Sequence, residues 1–140
     1  MTSPKKSLGQ NFLIDQNIIE KIIKIADIKN NNIVEIGPGT GNLTEKIIEN
    51  DPSSILLIEK DRELAANLKK KFISNKKINI FTNDILEFDL EKNLKKNSII
   101  LGNLPYNISS QILVKLIKFK IWLPSYKKLV LMFQKEVADK

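Results

Sequence analysis

The sequence of 140 residues contains no cysteine and no histidine. The missing cysteine excludes disulfides, thiolate metal sites and a cysteine nucleophile, and it is typical of a cytosolic protein. The missing histidine excludes a Ser-His-Asp triad and zinc held by imidazole. Chemistry must therefore depend on carboxylates, amides, hydroxyls, backbone groups or a bound cofactor, and we expect no metal site.

Long apolar runs are missing as well. No run approaches the roughly 18 residues that a membrane-spanning helix needs, and the first residues are polar, unlike those of a signal peptide. We therefore expect a cytoplasmic protein with no membrane partner. The length indicates one domain or part of one, and the 42% of hydrophobic residues suffices for a packed core.

Negative charge is in short supply, so the formal net charge is +7 and is carried mostly by lysine. A basic surface attracts nucleic acid or an anionic membrane. A general bias toward Lys, Ile and Asn in the whole chain would produce the same charge. The charge alone therefore leaves a nucleic-acid partner open.

Predicted strands and helices alternate along the chain. Continuous apolar runs predict strands over 33–36, 54–58, 78–82, 99–101 and 127–133, and helical spacing predicts helices over 15–27, 42–50, 61–72 and 108–119, with another beginning at 134. Residues 86–96 have no clear pattern. In the first helix the apolar stripe is expected to include Ile18, Ile22, Ile25 and Ala26, and to be widened by Ile19 and Ile23. Alternating apolar strands and helices predict a doubly wound α/β fold, with a mostly parallel sheet covered on both faces.

A glycine-rich loop follows the first predicted strand. Gly37, Gly39 and Gly41 have the spacing G-x-G-x-G, and Asn42 stands where the last glycine of a dinucleotide motif would fall. The Lys-Ser/Thr pair of a phosphate-binding P-loop does not follow. The loop therefore favours a less anionic nucleoside, such as S-adenosylmethionine.

Acidic residues end the next two strands. Glu59 lies at the distance beyond the glycines at which an acid binds ribose hydroxyls, and Asp84 could accept a hydrogen bond from an adenine amino group. The alternative for each is an acid that caps a helix or is solvated. Together with the glycines, however, they outline a crevice for one adenosine-type cofactor.

The fourth predicted strand breaks at Gly102 into Asn103-Leu104-Pro105-Tyr106. The Asn103 amide and the Leu104 carbonyl can accept hydrogen bonds from the exocyclic amine of an adenine, so that its lone pair faces an electrophile. Pro105 fixes the turn, and Tyr106 offers a ring on which a flipped-out base stacks. The alternative is a loop whose ring packs on the surface.

Two amides precede a Phe-Leu pair near the start of the chain. Residues 7–14 are either an apolar segment that packs on the domain or a flap over a ligand, in which Gln10 and Asn11 offer hydrogen bonds. The first interpretation is the simpler one from these residues alone.

Taken together, these motifs resemble the ribosomal RNA adenine dimethyltransferase family, and most closely its bacterial small-subunit branch. The resemblance extends from the first ten residues to the last and is carried by Gly9-Gln-Asn-Phe-Leu13, Glu35-Ile-Gly-Pro-Gly-Thr-Gly41, Glu59, Asn83-Asp84, Asn103-Leu-Pro-Tyr-Asn-Ile-Ser109 and Phe133-Gln-Lys-Glu-Val-Ala138.

The resemblance implies a class I S-adenosylmethionine-dependent methyltransferase with a Rossmann-like fold. Such enzymes convert adjacent adenines near the 3′ end of small-subunit rRNA to N6,N6-dimethyladenosine during ribosome biogenesis, so the implied partner is small-subunit rRNA or the pre-30S subunit. By that likeness, Asn11 and Leu13 belong to a flap on S-adenosyl-L-methionine and Gly37 to its glycine loop. Glu59 would bind the ribose and Asp84 the adenine of this cofactor.

The same likeness places Asn103 at the methyl-transfer centre, in contact with the cofactor, and Tyr106 against the target base. Family members continue well past residue 140, with a larger sheet and a helical C-terminal RNA-binding domain. We therefore expect a tail and flap over 1–14, an incomplete methyltransferase domain over 15–140, and no such C-terminal domain. The open edge of the fifth strand predicts self-association.

Other functions stay open at this point. The large-subunit rRNA branch shares these motifs, although the glycine loop and Asn103–Tyr106 favour the small-subunit branch. A nicotinamide-dependent oxidoreductase would need a different glycine spacing. A non-catalytic RNA-binding or ribosome-assembly module would use only the fold and the basic surface.

Overall fold

The computed structural model describes residues 15–104, 109–118 and 126–132. Strands and helices alternate through these ranges as the sequence predicts. In chain order they are α1 (Gln16–Ala26), β1 (Asn32–Ile36), α2 (Asn42–Glu49), β2 (Ser54–Glu59), α3 (Arg62–Lys71), β3 (Ile78–Thr82), α4 (Leu90–Asn93), β4 (Ser98–Asn103), α5 (Ser109–Ile117) and β5 (Tyr126–Met132).

The strands form one parallel sheet in the order β3-β2-β1-β4-β5. The first strand, β1, lies in the middle of the sheet. Strands β2 and β3 follow outward on one side of β1, and β4 and β5 lie on its other side. This reversal makes the sheet doubly wound, as predicted. It also leaves a crevice at the carboxyl ends of β1 and β4, where ligands bind in open α/β sheets.

Each face of the sheet has its own apolar core. Ile33, Leu57 and Leu101 point to the face covered by α1 and α2, whereas Val34 and Ile100 point to the face covered by α5. Alternation along each strand, combined with apolar residues on both faces, accounts for the continuous apolar runs of the sequence.

Helix α1 buries only part of the predicted apolar stripe. Asp15 caps the helix by accepting from the amide of Asn17 at 2.9 Å. Ile19, Ile22 and Ala26 are buried, while the predicted Ile18 and Ile25 are 36% and 62% exposed. The apolar band of this helix is wider than its contact with the sheet, so periodicity alone could not identify the residues at its centre.

Strand β4 also differs from the prediction, because it does not break at Gly102. Gly102 pairs with Ile36 on one side and Leu131 on the other, and Asn103 pairs with Met132. The ladder continues because β4 lies between two strands, and this pairing cannot be read from the local sequence. The unassigned stretch 86–96 contains the short helix α4, in which the Asp89 carboxylate accepts from the Lys92 amide at 3.2 Å.

Other predicted boundaries agree to within a few residues. Phe72, which follows α3, is partly buried and packs against the apolar cluster beneath α2. The flap over 1–14, Phe133 and the helix predicted from residue 134 lie outside the described residues. Across the described ranges, no helix is long and apolar enough to cross a membrane.

Candidate active site

The glycine loop crosses the carboxyl end of the sheet between β1 and α2. Gly37, Gly39 and Gly41 have φ values of 68°, 61° and 90°, which residues with side chains rarely adopt. The Gly37 amide donates to the carbonyl of Ile58 at 2.9 Å, and a Cβ added at Gly37 would lie 3.7 Å from the Asn103 carbonyl oxygen. The loop therefore touches both neighbouring strand ends.

Gly41 also allows α2 to approach α3. A Cβ at this position would lie 3.1 Å from Leu68 Cδ2 and 3.3 Å from the ring of Phe72. Because both the backbone angle and the available space require glycine, Gly41 fixes how α2 begins. The first amides of α2 are thereby placed at the crevice.

Glu59 is the last residue of β2 and is bound directly to the glycine loop. Its Oε1 accepts from the Gly39 amide at 3.0 Å, and its Oε2 accepts from the Asp61 amide at 2.9 Å. Burial raises the pKa of Glu59, and these backbone donors oppose the rise. A carboxylate has about four acceptor positions, so the backbone amides of Gly39, Asp61 and Lys60 do not exhaust its capacity to accept.

Glu35 is a second buried acid, and the sequence motifs alone predict no function for it. It lies on β1 beside Leu57 in the ladder, so its side chain points to the same face of the sheet as Glu59. Thr44 Oγ1 donates to its Oε1 at 2.5 Å. Burial raises the pKa of Glu35 to about 7; the Thr44 bond lowers it and the charge of Glu59 raises it. An acid within an apolar strand was the signal available in the sequence.

Asp84 begins a turn just beyond β3. Its Oδ1 accepts from the Leu86 amide at 3.0 Å, and Lys60 Nζ lies 3.4 Å from its Oδ2. Asp84 therefore caps the turn that follows β3, which agrees with the interpretation of this residue as a capping acid. The adjacent Asn83 amide donates to the Glu59 carbonyl at 3.0 Å, which brings this turn beside the end of β2.

Asn103 and Leu104 stand at the carboxyl end of β4. Asn103 is partly buried and points to the same face as Glu35, because Leu101, two residues before it, pairs with Glu35. The Leu104 amide donates to the Met132 carbonyl at 3.3 Å, and the Leu104 side chain is buried in the opposite core.

The structure thus brings the glycine loop, Glu59 and Asn103 together at one edge, with Asp84 on the adjoining turn. The other residues of the predicted site, Asn11, Leu13, Pro105 and Tyr106, lie outside the described residues, so their roles stay predictions. In the ranges described, no group of acidic residues is arranged to hold a metal ion.

Comparisons with known proteins agree with this architecture. The chain is 49% identical over 139 residues to ribosomal RNA small subunit methyltransferase A of Pelagibacter ubique, and the match covers 97% of the chain and 51% of that relative. The chain therefore spans about half the length of the curated relatives it matches.

Solved structures give the same result. A dimethyladenosine transferase from Plasmodium falciparum matches with a TM-score of 0.77 and 32% identity, over 92% of this chain and 45% of that one. The 23S rRNA methyltransferase ErmE matches with a TM-score of 0.78 and 26% identity, over 93% and 50% of the two chains. The fold is that of class I S-adenosylmethionine-dependent methyltransferases. The family described as ribosomal RNA adenine dimethylase matches residues 1–140, and the chain therefore belongs to that family.

Proposed function

We propose that this chain is the cofactor-binding and methyl-transfer part of an S-adenosylmethionine-dependent rRNA adenine N6-methyltransferase. The observation that carries the proposal is the convergence of the glycine loop, Glu59 and Asn103 at one edge of the sheet. Gly39 is hydrogen-bonded to Glu59, and Gly37 lies against the Asn103 carbonyl. A cofactor seated on the loop would thus face the residue proposed for the acceptor.

The acids of the crevice fit a cationic cofactor better than a dinucleotide. Glu59 is buried and hydrogen-bonded to the Gly39 amide of the loop, and its carboxylate opposes a pyrophosphate at these amides while favouring a positive ligand. S-adenosylmethionine, when bound, supplies a methyl group activated on a sulfonium. Glu59 would accept from the ribose hydroxyls and Asp84 from the adenine amine, while Asn11 and Leu13 would cover the ligand.

The acceptor side would work by positioning. The amide oxygen of Asn103 and the carbonyl of Leu104 would accept from the N–H groups of the target adenine, so that the nitrogen lone pair points toward the methyl group. Pro105 would hold the turn and Tyr106 would stack on the base. Holding reactants in line contributes much of such a rate enhancement, and it needs neither histidine nor cysteine, which this chain lacks.

We propose small-subunit rRNA, within a pre-30S particle in the cytoplasm, as the substrate. The net charge of +7 suits an RNA partner. The 49% identical relative is named for the small subunit, whereas the large-subunit enzyme ErmE is 26% identical. This difference supports the small-subunit branch over the large-subunit one.

A second candidate is a non-catalytic RNA-binding module. The observation that favours it is the net charge of +7, which suits an RNA partner and by itself requires no catalysis. This candidate predicts rRNA binding without methyl transfer.

Calorimetric titration of the chain with S-adenosylmethionine, with NADH as the control ligand, tests the cofactor site. We expect saturable binding of S-adenosylmethionine only, and at least a tenfold loss of affinity in Glu59→Ala. Glu49→Ala, an exposed acid near the end of α2, is the matched control and should bind like the wild type. Binding of NADH instead would refute the proposal.

Transfer is tested with tritiated cofactor and unmethylated small-subunit rRNA particles. Asn103→Ala should abolish transfer while leaving cofactor affinity largely unchanged. Equal loss of both would make Asn103 mainly a cofactor contact. Saturable cofactor and rRNA binding with no label transferred by the wild type would favour the non-catalytic module.

We also propose self-association through β5. Within the described residues β5 pairs only with β4 and forms an edge of the sheet, and Leu129, Val130 and Leu131 on it are only partly buried. An apolar open edge pairs readily with another chain. Light scattering at high concentration should show species larger than 16.0 kDa, and a clean monomer would contradict this proposal.

A further inference from the structure

Lys115 links α5 to the turn that carries Asp84. Its Nζ donates to the carbonyls of Ile85 and Phe88. The side chain is partly buried, unlike that of Lys118 at the end of the same helix. A lysine that ends on main-chain carbonyls far along the sequence fixes one element relative to another.

The turn has a defined beginning and end. The carbonyl of Asp84 accepts from the amides of Glu87 at 3.0 Å and Phe88 at 2.9 Å, and its carboxylate accepts from the Leu86 amide at 3.0 Å. Asp84 therefore closes the amide end of one helical turn, and Lys115 closes the carbonyl end. A cation at the carbonyl end of such a turn is the favourable arrangement.

Apolar packing places the turn against α5 without fixing its position along the helix. Ile85 and Phe88 share a core with Ile112 and Leu116, which lie on either side of Lys115 in α5. Such contacts are non-directional, whereas hydrogen bonds to two carbonyls are directional. Lys115 therefore supplies the directional restraint on where the turn, and with it the Asp84 carboxylate, is held.

The charges around Lys115 are consistent with this role. Burial lowers the pKa of Lys115, and the nearby carboxylates of Asp89 and Asp84 oppose that shift. The second oxygen of Asp84 lies near Lys60 on the other side of the turn. Two lysines therefore restrain Asp84: Lys60 lies beside its carboxylate, and Lys115 binds the backbone carbonyls of its turn.

We propose that Lys115 is a positioning residue for cofactor recognition. By holding the Ile85 and Phe88 carbonyls, it keeps the Asp84 carboxylate where it accepts a hydrogen bond from the adenine amine of the cofactor. The same bonds connect this adenine site to the helix that follows the acceptor segment 103–106. The inference rests on the proposed function, because it requires the adenine to lie at Asp84.

The test compares two ligands that differ only at the adenine amine. S-adenosyl-L-homocysteine carries the amine, whereas the analogue with an unsubstituted purine has only hydrogen at that carbon and keeps N1 as an acceptor. We expect the wild type to prefer the adenosyl ligand by at least tenfold in calorimetry. Lys115→Met should reduce that preference to about twofold by weakening the adenosyl ligand alone. Lys115→Arg, which can still donate to both carbonyls, should restore most of it, and Lys118→Met is the surface control.

A purely structural role would give a different pattern. Loss of stability would weaken both ligands by the same factor and leave the preference intact, and an unchanged preference in Lys115→Met overturns the inference. If Lys115→Met does not fold, Lys115→Gln replaces it, because its uncharged donor lies one bond closer to the main chain and cannot reach both carbonyls; an unchanged preference there overturns the inference equally. Failure of the wild type to bind either ligand refutes the proposed function itself, whereas wild-type binding with no preference refutes only the placement of adenine at Asp84.

Discussion

Replacing Glu35 by glutamine should remove a pH dependence from the stability of the fold. Glu35 is 2% exposed and accepts from the Thr44 hydroxyl. A glutamine of the same shape keeps an oxygen that can accept this bond and carries no charge. The substitution therefore isolates the cost of ionising a buried acid from the cost of losing a contact.

The magnitude follows from the two protonation equilibria. Burial raises the pKa of Glu35 from 4.5 to about 7, which corresponds to about 3 kcal/mol at about 1.4 kcal/mol per pKa unit. Because the folded state holds the proton more tightly, the free energy of unfolding falls as pH rises from 4.5 to 7 and levels off above 7. The wild type should therefore lose about 3 kcal/mol relative to Glu35→Gln between pH 4.5 and pH 8.

Urea denaturation at these two pH values measures the difference. The control is Glu20→Gln, an exposed acid on α1, whose stability should follow that of the wild type. Thr44→Val removes the hydrogen bond that lowers the pKa of Glu35, so the pKa should rise further. The free energy of unfolding of this variant should therefore keep falling to a higher pH than that of the wild type. Parallel curves for the wild type and Glu35→Gln would refute the reasoning, because they would mean that Glu35 ionises in the folded protein as easily as in water.

Three further substitutions test separate contacts by urea denaturation. Gly41→Ala should cost about 1–3 kcal/mol, because φ is 90° and the new Cβ would lie 3.1 Å from Leu68; wild-type stability would mean that the loop adjusts freely. Lys128→Met should cost about 1 kcal/mol, because Nζ donates to two carbonyls at the end of α1, and an added-salt series should leave this cost largely unchanged if hydrogen bonding dominates. Tyr126→Phe should cost about 1 kcal/mol through the lost bond to the Leu116 carbonyl at 2.8 Å, and no cost would mean that water replaces it equally well.

The fold could be predicted from the sequence because each strand is marked by its own local run of residues. A buried parallel strand such as 54–59 is a run of apolar residues, and the turn residues after it mark its end. The predicted boundaries were wrong where pairing with neighbouring strands, rather than the local sequence, determines where a strand ends. Gly102 and Asn103 belong to β4 because β1 and β5 pair with that strand, and no local pattern encodes this.

The candidate site divides in the same way. Residues at strand ends, such as Gly37, Glu59 and Asn103, can be placed together from topology alone, because parallel strands end at the same edge. The support around them cannot be predicted so easily. The bond from Thr44 to Glu35 and the bonds from Lys115 to the turn at Asp84 depend on how each helix lies on the sheet. Such positions follow from packing across the whole domain rather than from spacing in the chain.

The role of Glu59 needs a test on the ligand as well as on the protein. Glu59 accepts from the amides of Gly39 and Asp61, so Glu59→Ala would disturb the loop even if no ribose touched the carboxylate. Removing both ribose hydroxyls from S-adenosyl-L-homocysteine leaves the protein intact. If Glu59 accepts from these hydroxyls, the deoxygenated ligand should bind the wild type at least tenfold more weakly, yet bind Glu59→Ala about as well as the complete ligand does. Equal penalties in the two proteins would show that Glu59 acts only through the loop.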